Sequence, residues 1–220
     1  MRKSLLVLLG MCVAIGVLPA YAQLRAISVT VEVIDSKGQP GAAVLQSSDI
    51  TLRLPLIAGS LFGRPNTGDI LVEQIYVGNT IVLDAERMRN AGARLASPIA
   101  PQLTQNGMQV EPRNTRFARF GTFVSDTRTN ASIGAGGFVD RETRMGLILV
   151  YFEEPCRITG LLRMDGLEAK HDISIPSRGL HWIRVREATN TYYELDYIGV
   201  PGDVILGITP PPPPKLGHDT

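Results

Sequence analysis

Residues 145–199 read MGLILVYFEEPCRITGLLRMDGLEAKHDISIPSRGLHWIRVREATNTYYELDYIG. Within this stretch, two pairs of alternating apolar and polar segments flank short turn signals, a pattern typical of β-hairpins. The segment from Gly146 to Phe152 is apolar at nearly every position, as expected of a strand covered on both faces. We therefore predict five antiparallel strands here, whose dry face is covered by a second layer from the upstream chain.

The first hairpin is predicted from Asp165-Gly166, a two-residue turn signal that sets Met164 opposite Leu167. A buried Ile or Leu side chain stabilises a fold by roughly 1.5–3 kcal/mol. An exposed cross-strand charge pair contributes only about 0.2–1 kcal/mol, so burial decides which face turns inward. The predicted inward pairs are Leu162–Ala169, Gly160–His171, Ile158–Ile173 and Cys156–Ile175, and the outward pairs are Arg163–Glu168, Leu161–Lys170, Thr159–Asp172 and Arg157–Ser174.

The second hairpin is predicted from the three-residue loop Ala188-Thr189-Asn190, because Asn tolerates the left-handed conformation that ends such loops. Glu187 then faces Thr191. The predicted inward pairs are Val185–Tyr193, Ile183–Leu195 and His181–Tyr197, and the outward pairs are Arg186–Tyr192, Arg184–Glu194 and Trp182–Asp196.

The outward face of this second hairpin is the candidate binding surface. Exposed aromatic and charged side chains together can stack a sugar ring or hold a partner's side chain. The candidate binding residues are Trp182, Arg184, Arg186, Tyr192 and Glu194. The alternative is that a second layer covers Trp182, which is the commoner fate of a single Trp.

The upstream chain supplies further strands and one helix. Residues 27–33 alternate cleanly, and strands are also predicted at 50–54, ended by Pro55, at 70–77 and at 116–124. Ile81, Ala85, Met88 and Leu95 have near-helical spacing, with Thr80 or Asp84 as the cap and Gly92 weakening the far end. The predicted fold is an all-β, mostly antiparallel β-sandwich of eight to ten strands with one short helix.

The segment from Val29 to Val44 has a strand, the turn Asp35-Ser36-Lys37-Gly38 and a second extended run. It resembles the first strand and turn of carboxypeptidase-regulatory-like and other transthyretin-like β-sandwich domains. The resemblance implies a sandwich fold and nothing about activity.

The N-terminus has the organisation of a secretory signal peptide. Met1-Arg2-Lys3 is its positive region, residues 5–18 are apolar, and Ala20-Tyr21-Ala22 is a cleavage pattern. We predict a signal peptide over 1–22, a β-sandwich domain over 23–209 with a possible sub-boundary near 97–114, and a disordered proline-rich tail over 210–220. The predicted location is periplasmic or secreted.

Charge limits the class of partner. The chain has 22 basic and 21 acidic side chains, and removal of the two basic residues in the signal would leave a net charge near −1. This balance argues against nucleic acid as a partner. No stretch after the signal has the length of a transmembrane helix, so no membrane anchor is expected after cleavage. The expected partner is an unknown envelope protein or glycan.

Catalytic groupings are weak in this sequence. His171 and His181 both project inward in the predicted registers, and with a carboxylate they could bind zinc, but histidines hydrogen-bonded within a core are the favoured interpretation. Cys156 is expected to be a buried, inert thiol. The run Ile133-Gly134-Ala135-Gly136-Gly137 lacks the Lys of a phosphate loop and is predicted to be a flexible turn. No catalytic residue, metal ligand or cofactor is predicted.

Together these patterns favour an exported, non-catalytic binding or structural protein of the bacterial periplasm or cell envelope. One alternative is a metal-assisted hydrolase using His171 and His181. Another is an assembly subunit that donates the strand Ile27 to Val33 to a neighbouring chain.

Overall fold

The computed structural model of this chain describes residues 26–33, 50–61, 70–74, 80–126, 128–164 and 166–209. These residues form fifteen strands and two helices. The elements are β1 (Ala26–Val33), β2 (Ile50–Ala58), β3 (Ile70–Gln74), β4 (Thr80–Asp84), α1 (Ala85–Leu95), β5 (Ser97–Pro98), α2 (Pro101–Gln105), β6 (Met108–Glu111), β7 (Arg116–Phe120), β8 (Phe123–Asp126), β9 (Ser132–Asp140), β10 (Gly146–Phe152), β11 (Cys156–Met164), β12 (Leu167–Ile175), β13 (Gly179–Thr189), β14 (Tyr192–Tyr197) and β15 (Val204–Thr209). The predicted signal peptide, the proline-rich tail, the turn at 35–38 and Asp165 lie outside the described residues.

The all-β class with a short helix is confirmed, although the sheet is larger and more mixed than predicted. Its strands run in the order β4-β1-β15-β9-β8-β2-β7-β10-β13-β14-β12-β11-β6, with β3 paired to β2 and β5 to β7. Within the described residues the pairings are antiparallel except for β1 with β15 and β12 with β14, which are parallel. Fifteen strands replace the predicted eight to ten.

Strand β10 separates two apolar cores, as its nearly continuous apolar sequence predicts. Leu149 and Tyr151 belong to the first core, together with α1, β1, β2, β4, β8, β9 and β15. Val150 and Phe152 belong to the second core, together with α2, β6, β11, β12 and β14. Alternate side chains of one strand point to opposite faces, so β10 contributes to both cores.

Helix α1 is confirmed, with a correction at its N-terminal end. The Asp84 carboxylate caps it by accepting hydrogen bonds from the backbone N–H groups of Glu86 and Arg87, at 2.9 and 3.0 Å. Thr80 is therefore not the cap, and it lies in β4 with Ile81. The helix continues past Gly92 to Leu95, and a Cβ at Gly92 would lie 2.5 Å from the Tyr151 Cβ. Its missing side chain lets α1 pack directly onto β10.

Pro55 does not end the second strand as predicted. Strand β2 continues through it to Ala58 and changes partner there, from β8 at 50–53 to β7 at 56–58. The missing N–H of Pro55 falls between these two ladders, and its carbonyl accepts a 2.8 Å hydrogen bond from the Gly121 N–H.

The glycine run at 133–137 is not a flexible turn, which corrects the prediction. It is part of β9, which pairs with β15 along one edge and with β8 and β10 along the other. A Cβ on Gly136 would lie 2.5 Å from the Val124 Cγ2, so this glycine permits the close approach of β8.

The segment 97–114, predicted as a surface loop or a boundary, contains β5, α2 and β6. Strand β5 pairs with β7, and β6 pairs with β11. Leu103, Met108 and Val110 are buried in the second core. The segment is thus integrated into the sheet on both sides.

The N-terminal strand is used inside its own sheet. Strand β1 pairs with β4 along one edge and with the C-terminal strand β15 along the other. Glu32 also receives ion pairs from Arg141, at 2.6 Å, and from Arg144, at 3.3 Å. Strand β4 pairs with residues 26–30 along one edge and β15 with residues 30–33 along the other. Donation of this strand to a neighbouring chain stays a prediction.

The first hairpin has the predicted register at every position. Strands β11 and β12 pair from Cys156 with Ile175 through to Met164 with Leu167. Gly166 has a φ of 77°, the left-handed conformation that a tight turn of this kind requires.

The second hairpin has a different register from the predicted one. Each residue of β13 from Ile183 to Glu187 pairs with a β14 residue two positions beyond the predicted partner, so Arg184 faces Asp196 and Arg186 faces Glu194. An irregularity between Glu187 and Thr189 absorbs the difference. A shift of two leaves each side chain on its predicted face, and it replaces the predicted Arg186–Tyr192 pair by an ion pair.

Candidate functional site

The parallel pairing of β12 with β14 builds a patch of six charged side chains. Two rows run across β13, β14 and β12 on the face opposite the second core. The first, here called the positive row, holds Arg186, Glu194 and Lys170. The second, the negative row, holds Arg184, Asp196 and Asp172.

Two ion pairs link β13 to β14 within these rows. The Arg184 guanidinium donates two hydrogen bonds to the Asp196 carboxylate, with its Nε 3.0 Å from Oδ1 and its second nitrogen on Oδ2. These bonds raise the pKa of Arg184. Arg186 forms an ion pair with Glu194 in the positive row. Both pairs are partly exposed and hold the side chains in fixed positions.

The β12 side of the patch is less constrained. Lys170 makes no ion pair or hydrogen bond within the part of the chain that the structure describes. Asp172 contacts Arg157 only at 3.7 Å, and its side chain is 71% exposed. One cation and one anion therefore remain accessible on the same strand.

A cleft of about 330 Å³ lies over the two rows. It is lined by all six charged side chains, by Met145 and by Leu195, whose side chain points away into the second core. This volume is at the lower end of the range for small-molecule sites, about 300–1,000 Å³. Most of its lining side chains project from strands, so the backbone fixes their spacing.

Trp182 does not belong to this surface, which corrects its predicted exposure. It is on the same face of β13 as Arg184, but at the end covered by the first core, where it is 2% exposed. Its ring makes an edge-to-face contact with Phe138, with centroids 5.2 Å apart. The alternation along β13 predicts the correct face for Trp182. The sequence did not show which element covers that face at this end of the strand.

The other four predicted binding residues are accessible to different degrees. Arg184, Arg186 and Glu194 line the cleft. Tyr192 is half-buried, lies beyond the positive row opposite Glu168, and is not part of the cleft lining. Asp196 is on the outward face of the second hairpin, as the sequence predicted. Lys170 and Asp172 were not predicted as members of the site, because the sequence does not indicate that β12 lies beside β14.

The two histidines are buried as predicted but lie apart. His181 contacts the rings of Phe152 and Tyr197, with centroids 6.1 and 5.6 Å away, and its Nε2 is 2.8 Å from the Ser177 carbonyl. His171 is on β12, which is two strands away from β13 in the sheet, and it is displaced from His181 by four residues along the strand direction. This offset corresponds to roughly 15 Å, too far for one zinc ion to bind both.

Burial lowers the pKa of both imidazoles. The pKa of His171 falls to about 4 through desolvation, which outweighs hydrogen bonds to backbone groups of Ala169 and Gly160. The pKa of His181 is also lowered by burial. Both side chains are therefore neutral at pH 7 and belong to the second core. Among the described residues, no three His, Cys, Asp or Glu side chains are grouped so that they could hold a metal ion.

Cys156 is buried, as predicted, and is a free thiol. Burial raises its pKa to about 12, and the nearby charge of Glu154 adds to the effect. A thiol with this pKa is not ionised at neutral pH and is a poor nucleophile.

In comparisons with known proteins, no family model, no curated protein and no solved structure matches this chain. In the described ranges, none of the helices has the length and apolar character needed to span a membrane.

Proposed function

We propose that this chain is an exported, non-catalytic binding protein of the bacterial cell envelope, and that its binding site is the charged cleft over β12, β13 and β14. The cleft is the observation that carries the proposal. It combines a concave shape, six charged side chains and the apolar side chain of Met145 at one place on the sheet. Catalysis has no comparable support, since the two inward histidines lie far apart and the single described thiol is protonated.

The composition of the cleft favours a charged ligand over a neutral glycan. Sugar rings are commonly recognised by stacking on exposed aromatic faces. Trp182 is buried, and Tyr192 lies outside the cleft lining. The cleft instead offers three cations and three anions, which suit the charged groups of a small molecule or of a partner protein's side chains.

The site is tested by nuclear magnetic resonance on the uniformly ¹⁵N-labelled protein, titrated with a library of charged and neutral small molecules. We expect charged compounds to shift amide resonances of β12, β13 and β14 in the neighbourhood of the cleft. Lys170→Gln removes a charge from the cleft and should weaken these shifts. Arg163→Gln removes an equally exposed charge near the hairpin tip and should leave them unchanged. Shifts that are absent, or that cluster elsewhere, would remove the cleft from the proposal.

Export is tested separately by fractionating bacteria that express the full chain. The proposal predicts that the protein is recovered from the periplasm or the medium and that its N-terminus is Gln23. Retention of Met1 and residence in the cytoplasm would contradict it.

A further inference from the structure

The two rows of the cleft differ in net charge, and this difference specifies a ligand. Arg186, Glu194 and Lys170 sum to +1, whereas Arg184, Asp196 and Asp172 sum to −1. Resting on the binding role proposed above, we infer that the cleft takes a small zwitterion. Its anionic group lies over the positive row and its cationic group over the negative row.

The spacing of the rows sets the size of this ligand. Successive residues on one face of a strand are two positions apart, which corresponds to about 7 Å. Lys170 and Asp172 have this relation on β12, as do Glu194 and Asp196 on β14. A ligand whose opposite charges are about 5–7 Å apart reaches both rows at once, and such a molecule fits a cleft of about 330 Å³.

The anionic group is assigned to Lys170 because no ion pair from the described residues engages its ammonium. Arg186 lies in the same row but is already paired with Glu194. A carboxylate or phosphate over Lys170 gains a charge-assisted hydrogen bond without breaking an existing pair.

The cationic group is assigned to Asp172 because two carboxylates meet there. Asp172 is in register with Asp196 on the neighbouring strand, and like charges in such positions repel. Arg184 neutralises Asp196 through two hydrogen bonds. Among the described residues, the ion pair of Asp172 is the 3.7 Å contact with Arg157, so an ammonium group placed over Asp172 relieves the repulsion.

The chemistry described is a primary ammonium joined by a short chain to a carboxylate, which a free ω-amino acid and a lysine at the C-terminus of a peptide share. The test uses β-alanine, 4-aminobutyrate, 5-aminovalerate and 6-aminohexanoate, in which only the separation of the charges changes. Pentanoate and pentylamine carry one charge each. N-acetyl-lysine, with its free carboxylate and side-chain ammonium, represents the peptide source.

We expect binding to be strongest for 5-aminovalerate, with a Kd in the millimolar range by amide chemical-shift titration, and at least roughly tenfold weaker for either singly charged compound. Lys170→Gln and Asp172→Asn should each weaken 5-aminovalerate binding roughly fivefold or more, whereas Arg163→Gln should not. Stronger binding of N-acetyl-lysine than of the free ω-amino acids would assign the site to peptides.

Equal affinity for zwitterions and singly charged compounds would overturn the inference, as would retention of binding in both cleft variants. If other charged compounds shift the cleft resonances while every zwitterion fails, the ligand class is wrong and the binding role stands. If no compound shifts them, both fail together.

Discussion

The hairpins β11–β12 and β13–β14 invite comparison, because the sequence predicts the right register for the first and a register two residues off for the second. In β11–β12 the predicted pairs are all present. In β13–β14 the predicted faces are right and the partners are wrong. The alternation of apolar and polar side chains fixes only which face is buried, because a shift of two residues preserves it.

The turn accounts for the difference. In the first hairpin Gly166 has a positive φ, and the strands pair as far as Met164 with Leu167. In the second, β13 extends to Thr189 and contains an irregularity near Ala188, so the assumed three-residue loop does not exist. The observed register matches two arginines with two carboxylates, which the predicted register does not. A register left open by its turn is thus settled by cross-strand charge.

The largest expected effect concerns the glycines of the first hairpin. Gly160 has a φ of 115°, and a Cβ there would lie 2.1 Å from the Gly107 carbonyl oxygen. We expect Gly160→Ala to lower the free energy of unfolding by roughly 2–6 kcal/mol, from backbone strain and overpacking together. The measurement is the urea midpoint.

Gly166→Ala is the matched control for that substitution. Gly166 also has a positive φ, but no atom lies within 4 Å of a Cβ built on it. The expected cost is about 1–2 kcal/mol, from backbone strain alone. Equal costs at the two glycines would show that contact between β11 and the Gly107 turn has no energetic weight.

The next largest effect is the pH dependence of stability that comes from the inward histidine of each hairpin, His171 in β12 and His181 in β13. The pKa of His171 is about 4 in the folded protein, against an ordinary value of 6.5. As the pH falls from 6.5 to 4, the His171 imidazole therefore takes up a proton in the unfolded chain but not in the folded chain. Stability contributed by neutral His171 is lost over this range, by up to about 3 kcal/mol.

The measurement is the free energy of unfolding of the wild type and of His171→Leu as a function of pH. The variant should show a shallower decline between pH 6.5 and 4. His181→Gln should remove a smaller part of the decline, because His181 is less completely buried than His171 and its pKa is lowered less by desolvation. Parallel curves for wild type and His171→Leu would contradict the burial of a neutral imidazole.

The smallest effect concerns the charge pairs. Arg184 and Asp196 are 34% and 41% exposed, whereas Arg163 and Glu168 in the first hairpin are 71% and 45% exposed. Double-mutant cycles with Gln and Asn or Gln replacements should give a coupling of about 0.5–1 kcal/mol for the first pair and less for the second. A larger coupling for Arg163–Glu168 would contradict the role given to charge in the second hairpin.

Much of this fold could be predicted where local patterns are sufficient. The continuous apolar run of β10, the capped helix α1 and the Asp165-Gly166 hairpin each have a local signal in the sequence. The parallel pairings of β1 with β15 and of β12 with β14 have none, because they join segments that no tight turn connects.

The charged cleft depends on one of those parallel pairings. Arg184, Arg186 and Glu194 could be predicted as a surface from alternation along two strands. Lys170 and Asp172 join them only because β14 lies between β13 and β12. The burial of Trp182 was the alternative that the sequence favoured, but the element that covers it could not be identified, since Phe138 lies on a strand that the sequence presented as a glycine-rich turn.

The register of β13 with β14 is the central claim, because it places the charges that form the cleft. It is tested most directly by engineered cross-strand disulfides. Paired residues have Cβ atoms about 4.5–5.5 Å apart, diagonal ones lie about 7–8 Å apart, and a disulfide needs about 3.5–4.5 Å. The native Cys156 does not interfere, since burial raises its pKa to about 12.

Under mild oxidation, we expect the variant with Arg186→Cys and Glu194→Cys to form an intramolecular disulfide. We expect the variant with Arg186→Cys and Tyr192→Cys to stay reduced. Thiol titration and intact mass report the outcome. Formation of the second disulfide in preference to the first would show that the strands have the register set by a three-residue loop. The six charged side chains would then not form the two rows.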